Sequence, residues 1–264
     1  MRRLIAFPCA GAELAASLDD GGGATGLVMV TGGSQTRIGS HRMYERLANS
    51  LRDKGYSCLR FDRRGVGDSA GDDPGFRGSG PDIAAAAAAL RRECPALARV
   101  IGFGLCDGAT AIALFGREAG LDGLILVNPW LVETEADEPA PAAIRAHYRQ
   151  RLLSRDGWKK ILSGAVDYSK LLRGIAKISA GNEGAQLAAE TAAALAASRL
   201  RAWLILAEGD ATALAAEREL EAAAFDGLIE GRQKLATDSH TFAREGDEAA
   251  LLTAVARALA ALEA

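Results

Sequence analysis

Long apolar runs are missing from this 264-residue sequence, and none approaches the length required to cross a bilayer. The N-terminus also lacks the basic segment, apolar segment and small-residue cleavage site of a signal peptide, so the cytoplasm is the expected compartment. Neither sign of charge dominates. With 31 Lys and Arg against 34 Asp and Glu, the formal charge is -3, and nothing draws the chain to nucleic acid or an anionic membrane. Cysteines number four, Cys9, Cys58, Cys94 and Cys106, widely spaced and never in a CxxC pair. That excludes a disulfide scaffold and a structural zinc site. Histidines number three, and none stands in a compact carboxylate–histidine motif, which argues against a metallohydrolase. No metal or redox cofactor is called for. Fixed-period repeats are absent as well.

What is present is a rhythm. RRLIAFPCAGAELAASLD reads as two short strands around a turn at Cys9 to Gly11, and the loop DDGGG precedes the apolar strand GLVMV. HRMYERLANSLRDKG follows as a helix with Met43, Leu47 and Leu51 on one side, Ser40 as its cap and Gly55 at its end. YSCLRFD is a buried strand, and DIAAAAAALRREC is a helix from near Asp82. ARVIGFG, DGATAIALFGREAG and LDGLILVNPW continue as strand, helix and strand. Strands separated by helices favour a mainly parallel sheet covered on both faces. Ala and Gly are so frequent that close helix–sheet approach replaces large side chains. About seventy residues after Trp130 break the rhythm, and it resumes at RAWLILAEGD. The expected division is an α/β core over 1–131 and 201–264, with a helical lid insertion over 132–200.

The strongest local signal is GLCDG, Gly104 to Gly108, between an apolar strand and an Ala-rich helix. A sharp strand-to-helix turn needs small residues two positions either side of a nucleophile, and both positions are glycine. The central residue is Cys106, where serine is usual. A helix N-terminus and a nearby imidazolium would favour its thiolate, while the adjacent Asp107 works against it. His240, in TDSHTF after a strand and before the last helix, is the candidate general base. Asp210, at the end of WLILAEGD, is the candidate that orients it; Glu208 is the nearest substitute, and a helix cap is the plain alternative for Asp210. Oxyanion donors are expected from the backbone N–H of Asp107 and from Gly33 or Ser34 in TGGSQ. Arg37 stands just beyond that loop as a candidate for an anionic substrate group, with His41 in a structural role. Trp130, Tyr148 and Trp158 are candidates for the substrate pocket, and Ile144, Leu152 and Ile161 for lid packing. DRRGVGDS has neither the Walker ending nor GxGxxG spacing, so Asp62, Arg63 and Arg64 are read as bracing a loop.

Taken together, TGGS after a strand, DRRGVGDS, the GLCDG elbow, AEGD and a late SH resemble the α/β-hydrolase superfamily along essentially the whole chain. The resemblance implies an α/β-hydrolase fold and places the catalytic roles on Cys106, Asp210 and His240. A narrower resemblance, carried by FPCAGAELAASL, GGSQTRIGSHR, LRFDRRGVGDS, GLCDGA, LVNPW and DSHTF in this order, is to hydrolases associated with the exosortase A system. Those proteins are encoded beside machinery for exopolysaccharide production and surface-protein sorting. TGGSQTR departs from that family's GGPQYR at Ser34 and Thr36. The expected activity is that of an acyl hydrolase, a thioesterase or carboxylic ester hydrolase, working through a Cys-His-Asp triad and an acyl-enzyme. Its substrate would be a small acyl compound, either a thioester or an acylated saccharide. An acyltransferase and a catalytically poor binding protein are the alternatives, and a homo-oligomer is left open.

Overall fold

A computed structural model describes residues 2–132 and 182–264. Tyr148, Trp158, His147, Ile144, Leu152 and Ile161 lie outside the described residues. The chain opens with a hairpin of β1 (Arg2–Cys9) and β2 (Ala12–Asp19), paired antiparallel with Cys9 opposite Ala12. Ala10 and Gly11 both take positive φ, 47° and 82°, as the two-residue turn that matches strand twist requires. β3 (Thr25–Val30), β4 (Ser57–Phe61), β5 (Arg99–Leu105), β6 (Gly123–Val127), β7 (Arg201–Ala207) and β8 (Gly231–Leu235) complete one eight-stranded sheet. Its order is β1-β2-β4-β3-β5-β6-β7-β8, with the pairs β1/β2 and β2/β4 antiparallel and all others parallel. This is the mixed sheet of an α/β-hydrolase fold.

Helices cover both faces because the central strands are apolar on both. On one face Ile83, Ala86 and Leu90 of α2 (Gly80–Glu93) and Ala109 and Ile112 of α3 (Asp107–Phe115) pack against Val28, Val100 and Leu124. α4 (Asn182–Ser198) and α5 (Ala211–Leu220) join the same layer. On the other face Met43, Leu47 and Leu51 of α1 (Met43–Arg52) and Leu251, Val255 and Leu259 of α6 (Asp247–Glu263) pack on Leu27, Ile101, Phe103 and Ile125. Alternation along β5 explains the split: Val100 faces the first layer, Ile101, Phe103 and Leu105 the second.

One sequence expectation changes here. Ser40 does not cap α1, which begins after Arg42 in left-handed geometry with no side-chain cap. α4 lies within the stretch 132–200, and its Ala188, Ala192 and Leu195 are buried in the core cluster. Its alanine-rich sequence carries helical propensity but no sign of where it packs. Among the described residues no helix is long and apolar enough to cross a membrane.

Register sets the working edge of the sheet. Val30 pairs with Gly104, Leu105 with Val127, Val127 with Ile205 and Ala207 with Leu235. The C-terminal ends of five parallel strands therefore lie level. The loops that leave them carry Gly33, Cys106, Asn128, Asp210 and His240 to one rim, where ligands bind in open α/β sheets.

Candidate active site

At the end of β5 the chain turns into α3 within one residue. Cys106 holds φ 60° and ψ -129°, a conformation that L side chains rarely adopt. Its backbone is tied down from several directions: its N–H donates to the Val127 carbonyl at 3.0 Å, and its own carbonyl accepts from Ala109 N at 3.0 Å and Trp130 N at 3.2 Å. The flanking glycines are steric necessities. A Cβ on Gly104 would lie 2.5 Å from the Gly108 carbonyl oxygen, and one on Gly108 would lie 2.5 Å from that of Val30. Of the four cysteines, all free, Cys106 alone is not buried.

His240 Nδ1 lies 3.0 Å from Asp210 Oδ2. That oxygen also accepts from Ala213 N at 2.9 Å, so Asp210 is at once the cap of α5 and the partner of the imidazole. Burial would lower the His240 pKa, but hydrogen bonds to Asp210 and Cys106 outweigh it and raise it from 6.5 to about 10. The second imidazole nitrogen, Nε2, is thereby left to Cys106, and the three side chains form one chain of contacts. Glu208, the substitute considered for Asp210, is exposed.

The β3 loop approaches from the other side. Gly33, at φ 57°, donates its N–H to Asp107 Oδ1 at 2.6 Å, and Ser34 is exposed on the turn. The Asp107 carboxylate also draws on the N–H groups of Gly108 and of Asp107 itself. Burial pushes its pKa up, while these donors and the nearby Arg63 pull it down, with a net rise. Tyr44, fully buried and edge-on to Phe103, fixes the start of this loop by donating to the Val30 carbonyl at 2.8 Å.

Arg37, the candidate for an anionic substrate group, is engaged by carboxylates of the protein itself. Its guanidinium pairs with Asp62 and, at 2.9 Å, with Asp68, while its backbone N–H donates to Asp62 Oδ1 at 2.5 Å. Asp62 is fully buried, so Arg37 serves as its counter-ion rather than as a free cation at the rim. The bracing reading of DRRGVGDS agrees with the contacts: Arg64 Nε donates to Asp82 at 2.6 Å and Arg63 Nη2 to the Gly33 carbonyl at 2.6 Å. Trp130 meets the elbow through its backbone: its amide N–H donates to the Cys106 carbonyl, and its own carbonyl accepts from Thr110 Oγ1 at 2.6 Å.

One site residue escaped the sequence reading. Asn128, fully buried at φ 41°, donates from Nδ2 to the His240 carbonyl at 3.2 Å and accepts from Ala207 N at 2.8 Å. His41 Nε2 lies 2.8 Å from the carbonyl oxygen of Thr241, beside His240, which specifies the structural role expected for it. An amide directly after a catalytic-edge strand, as in LVNPW, was the available signal for Asn128.

Residues 25–227, well over half of the chain, match the family model described as "Serine aminopeptidase, S33". Similar solved structures include an esterase from Pyrococcus furiosus, at 15% identity over 97% of this chain and 92% of that one, with a TM-score of 0.63. The α/β hydrolase GrgF from Penicillium sp. sh18 is 17% identical over 100% of this chain and 98% of its own, with a TM-score of 0.65. A lid-less α/β serine hydrolase from Xanthomonas campestris is 17% identical over 97% and 94%, with a TM-score of 0.60. At such identities these likenesses establish the fold. No curated protein matches the chain. The comparisons bring no exosortase-linked family with them. They also correct the expected mechanism: the matched family is one of serine hydrolases, so the Cys-His-Asp thioesterase expected from the sequence, with its exopolysaccharide link, is not what the homology supports. The sequence reading rested on Cys106 standing where serine is usual. This chain is an α/β-fold hydrolase and belongs to the serine aminopeptidase, S33, family.

Proposed function

We propose that this enzyme hydrolyses a small carboxylic ester or amide on the serine-hydrolase plan, at the rim where Cys106, His240 and Asp210 meet. The observation that carries the reading is the His240–Asp210 pair at 3.0 Å, set against a strained elbow between two obligatory glycines. On that plan the side chain at position 106 stands at the point of attack. His240 carries the proton transfers of the hydrolysis: its charged ring donates to the leaving oxygen or nitrogen, and its neutral form takes a proton from the attacking water. Asp210 fixes the ring orientation and favours its charged form. The amides of Gly33 and Asp107 are the assigned oxyanion donors.

Trp130 is assigned to the pocket wall because its backbone holds that of Cys106. The insertion over 132–200 is assigned as the lid because it interrupts the strand–helix rhythm of the sequence between β6 and β7. The narrower resemblance to exosortase A system-associated hydrolases rests on motif order and would make an acylated saccharide the substrate. The cytoplasm remains the proposed compartment, in keeping with four free cysteines.

The experiment is acid release from p-nitrophenyl esters and amino-acid anilides by the wild type, C106A and H240A. We expect turnover by the wild type and a loss of about 100-fold or more in each variant, with unchanged circular dichroism. Folded variants that keep the wild-type rate would reject the site.

A further inference from the structure

We infer that Asp107 gates the oxyanion site: in the resting protein its carboxylate fills the amide pocket in which a substrate oxyanion would form. The pocket is defined by geometry, and its catalytic consequence rests on the hydrolytic reading above. Gly33 donates to Asp107 Oδ1 at 2.6 Å, a short charge-assisted bond. The N–H groups of Asp107 itself and of Gly108 also favour its charged form. Of the two amides assigned to the oxyanion, that of Gly33 is thus engaged by an internal anion, and the other belongs to the residue that supplies it. How narrow the space is follows from Gly32. A Cβ there would lie 2.6 Å from Asp107 Oδ1 and 3.0 Å from Cys106 Cβ, so the carboxylate is wedged between the β3 loop and the elbow.

A tetrahedral intermediate needs those donors aimed at its own oxygen, in a place where two anions cannot sit together. The carboxylate must therefore move before the reaction can proceed. Arg63 offers it a destination. This side chain is buried, its Nη2 donates to the Gly33 carbonyl at 2.6 Å, and its Nη1 has no hydrogen-bond partner among the described residues. A buried guanidinium nitrogen without an acceptor is rare in native proteins and stands here on the turn whose amide Asp107 holds. Opening is the transfer of the Asp107 carboxylate from the Gly33 amide to Arg63 Nη1. No covalent bond changes.

The test uses the full chain with D107A and D107N, formate as the probe anion and the backbone amide resonances of Gly33 and residue 107 as the readout. In the wild type the Gly33 proton should resonate far downfield and ignore formate; in D107A it should move upfield and then shift on formate titration. D107N, which retains the shape without the charge, should respond in between and covers the case in which D107A fails to fold. On a neutral p-nitrophenyl ester, kcat should rise by about tenfold or more in the variants, within the range a single oxyanion donor supplies. Equal formate response in wild type and variants would overturn the gate, as would an unchanged or lower kcat in folded variants of an active enzyme. If neither wild type nor variants hydrolyse the ester while formate binds only to the variants, the gate stands and the hydrolytic reading fails.

Discussion

Burial alone would strip the proton from His240, yet its bonds to Asp210 and Cys106 raise its pKa from 6.5 to about 10. At neutral pH the ring is therefore charged, in the form that donates to a leaving group. A folded-state pKa above the unfolded one means a stabilisation fully present below about pH 6.5 and lost as the pH climbs toward 10. The melting-temperature gap between wild type and H240Q should thus be widest on the acid side of that window and narrow across it. Part of the rise belongs to the thiol. In C106S the His240 titration, followed by nitrogen NMR, should fall below the wild-type value, leaving more free base at neutral pH to activate a hydroxyl. An identical titration in both proteins would mean that residue 106 does not touch the ring.

Between elements, the site depends on loops that different strands deliver, and Asn128 links two of them. Its side chain spans the His240 loop and Ala207, three residues before Asp210, from a buried position at the end of β6. N128A would leave the Ala207 N–H without its acceptor, at a cost of about 1–3 kcal/mol in unfolding free energy. Because His240 would also lose its tether, kcat should fall with little change in KM. N128D can keep the bond from Ala207 but cannot donate to His240, so it should recover stability more than turnover. Denaturant midpoints and steady-state constants read the two effects apart. A variant that loses stability yet keeps kcat would make Asn128 purely structural.

Across the molecule, the order of strands and helices was legible because apolar runs, glycine breaks and Ala-rich periodicity agree from β1 to α6. The elbow was legible for a local reason: only glycine fits at 104 and 108. Asp210 and His240 were readable from their places just beyond strand ends. What the sequence could not display were the long-range pairings of charge. Arg37 stands near the oxyanion loop in the chain but is drawn to the buried Asp62, and Asp107, read as a backbone donor, also brings a carboxylate back onto Gly33. Nor does a family's mechanism follow from the element at one position, which is why the serine plan emerged only from the family match.

The most direct measurement of the central claim, that residue 106 with His240 and Asp210 is the hydrolytic site of a serine-hydrolase framework, is labelling of C106S by a fluorophosphonate, located by mass spectrometry. Such a probe reacts with a hydroxyl only where a base and oxyanion donors activate it. The account predicts one adduct per chain, on residue 106, that disappears when H240A is added to C106S. No adduct on folded C106S, or an adduct elsewhere that survives H240A, would contradict it.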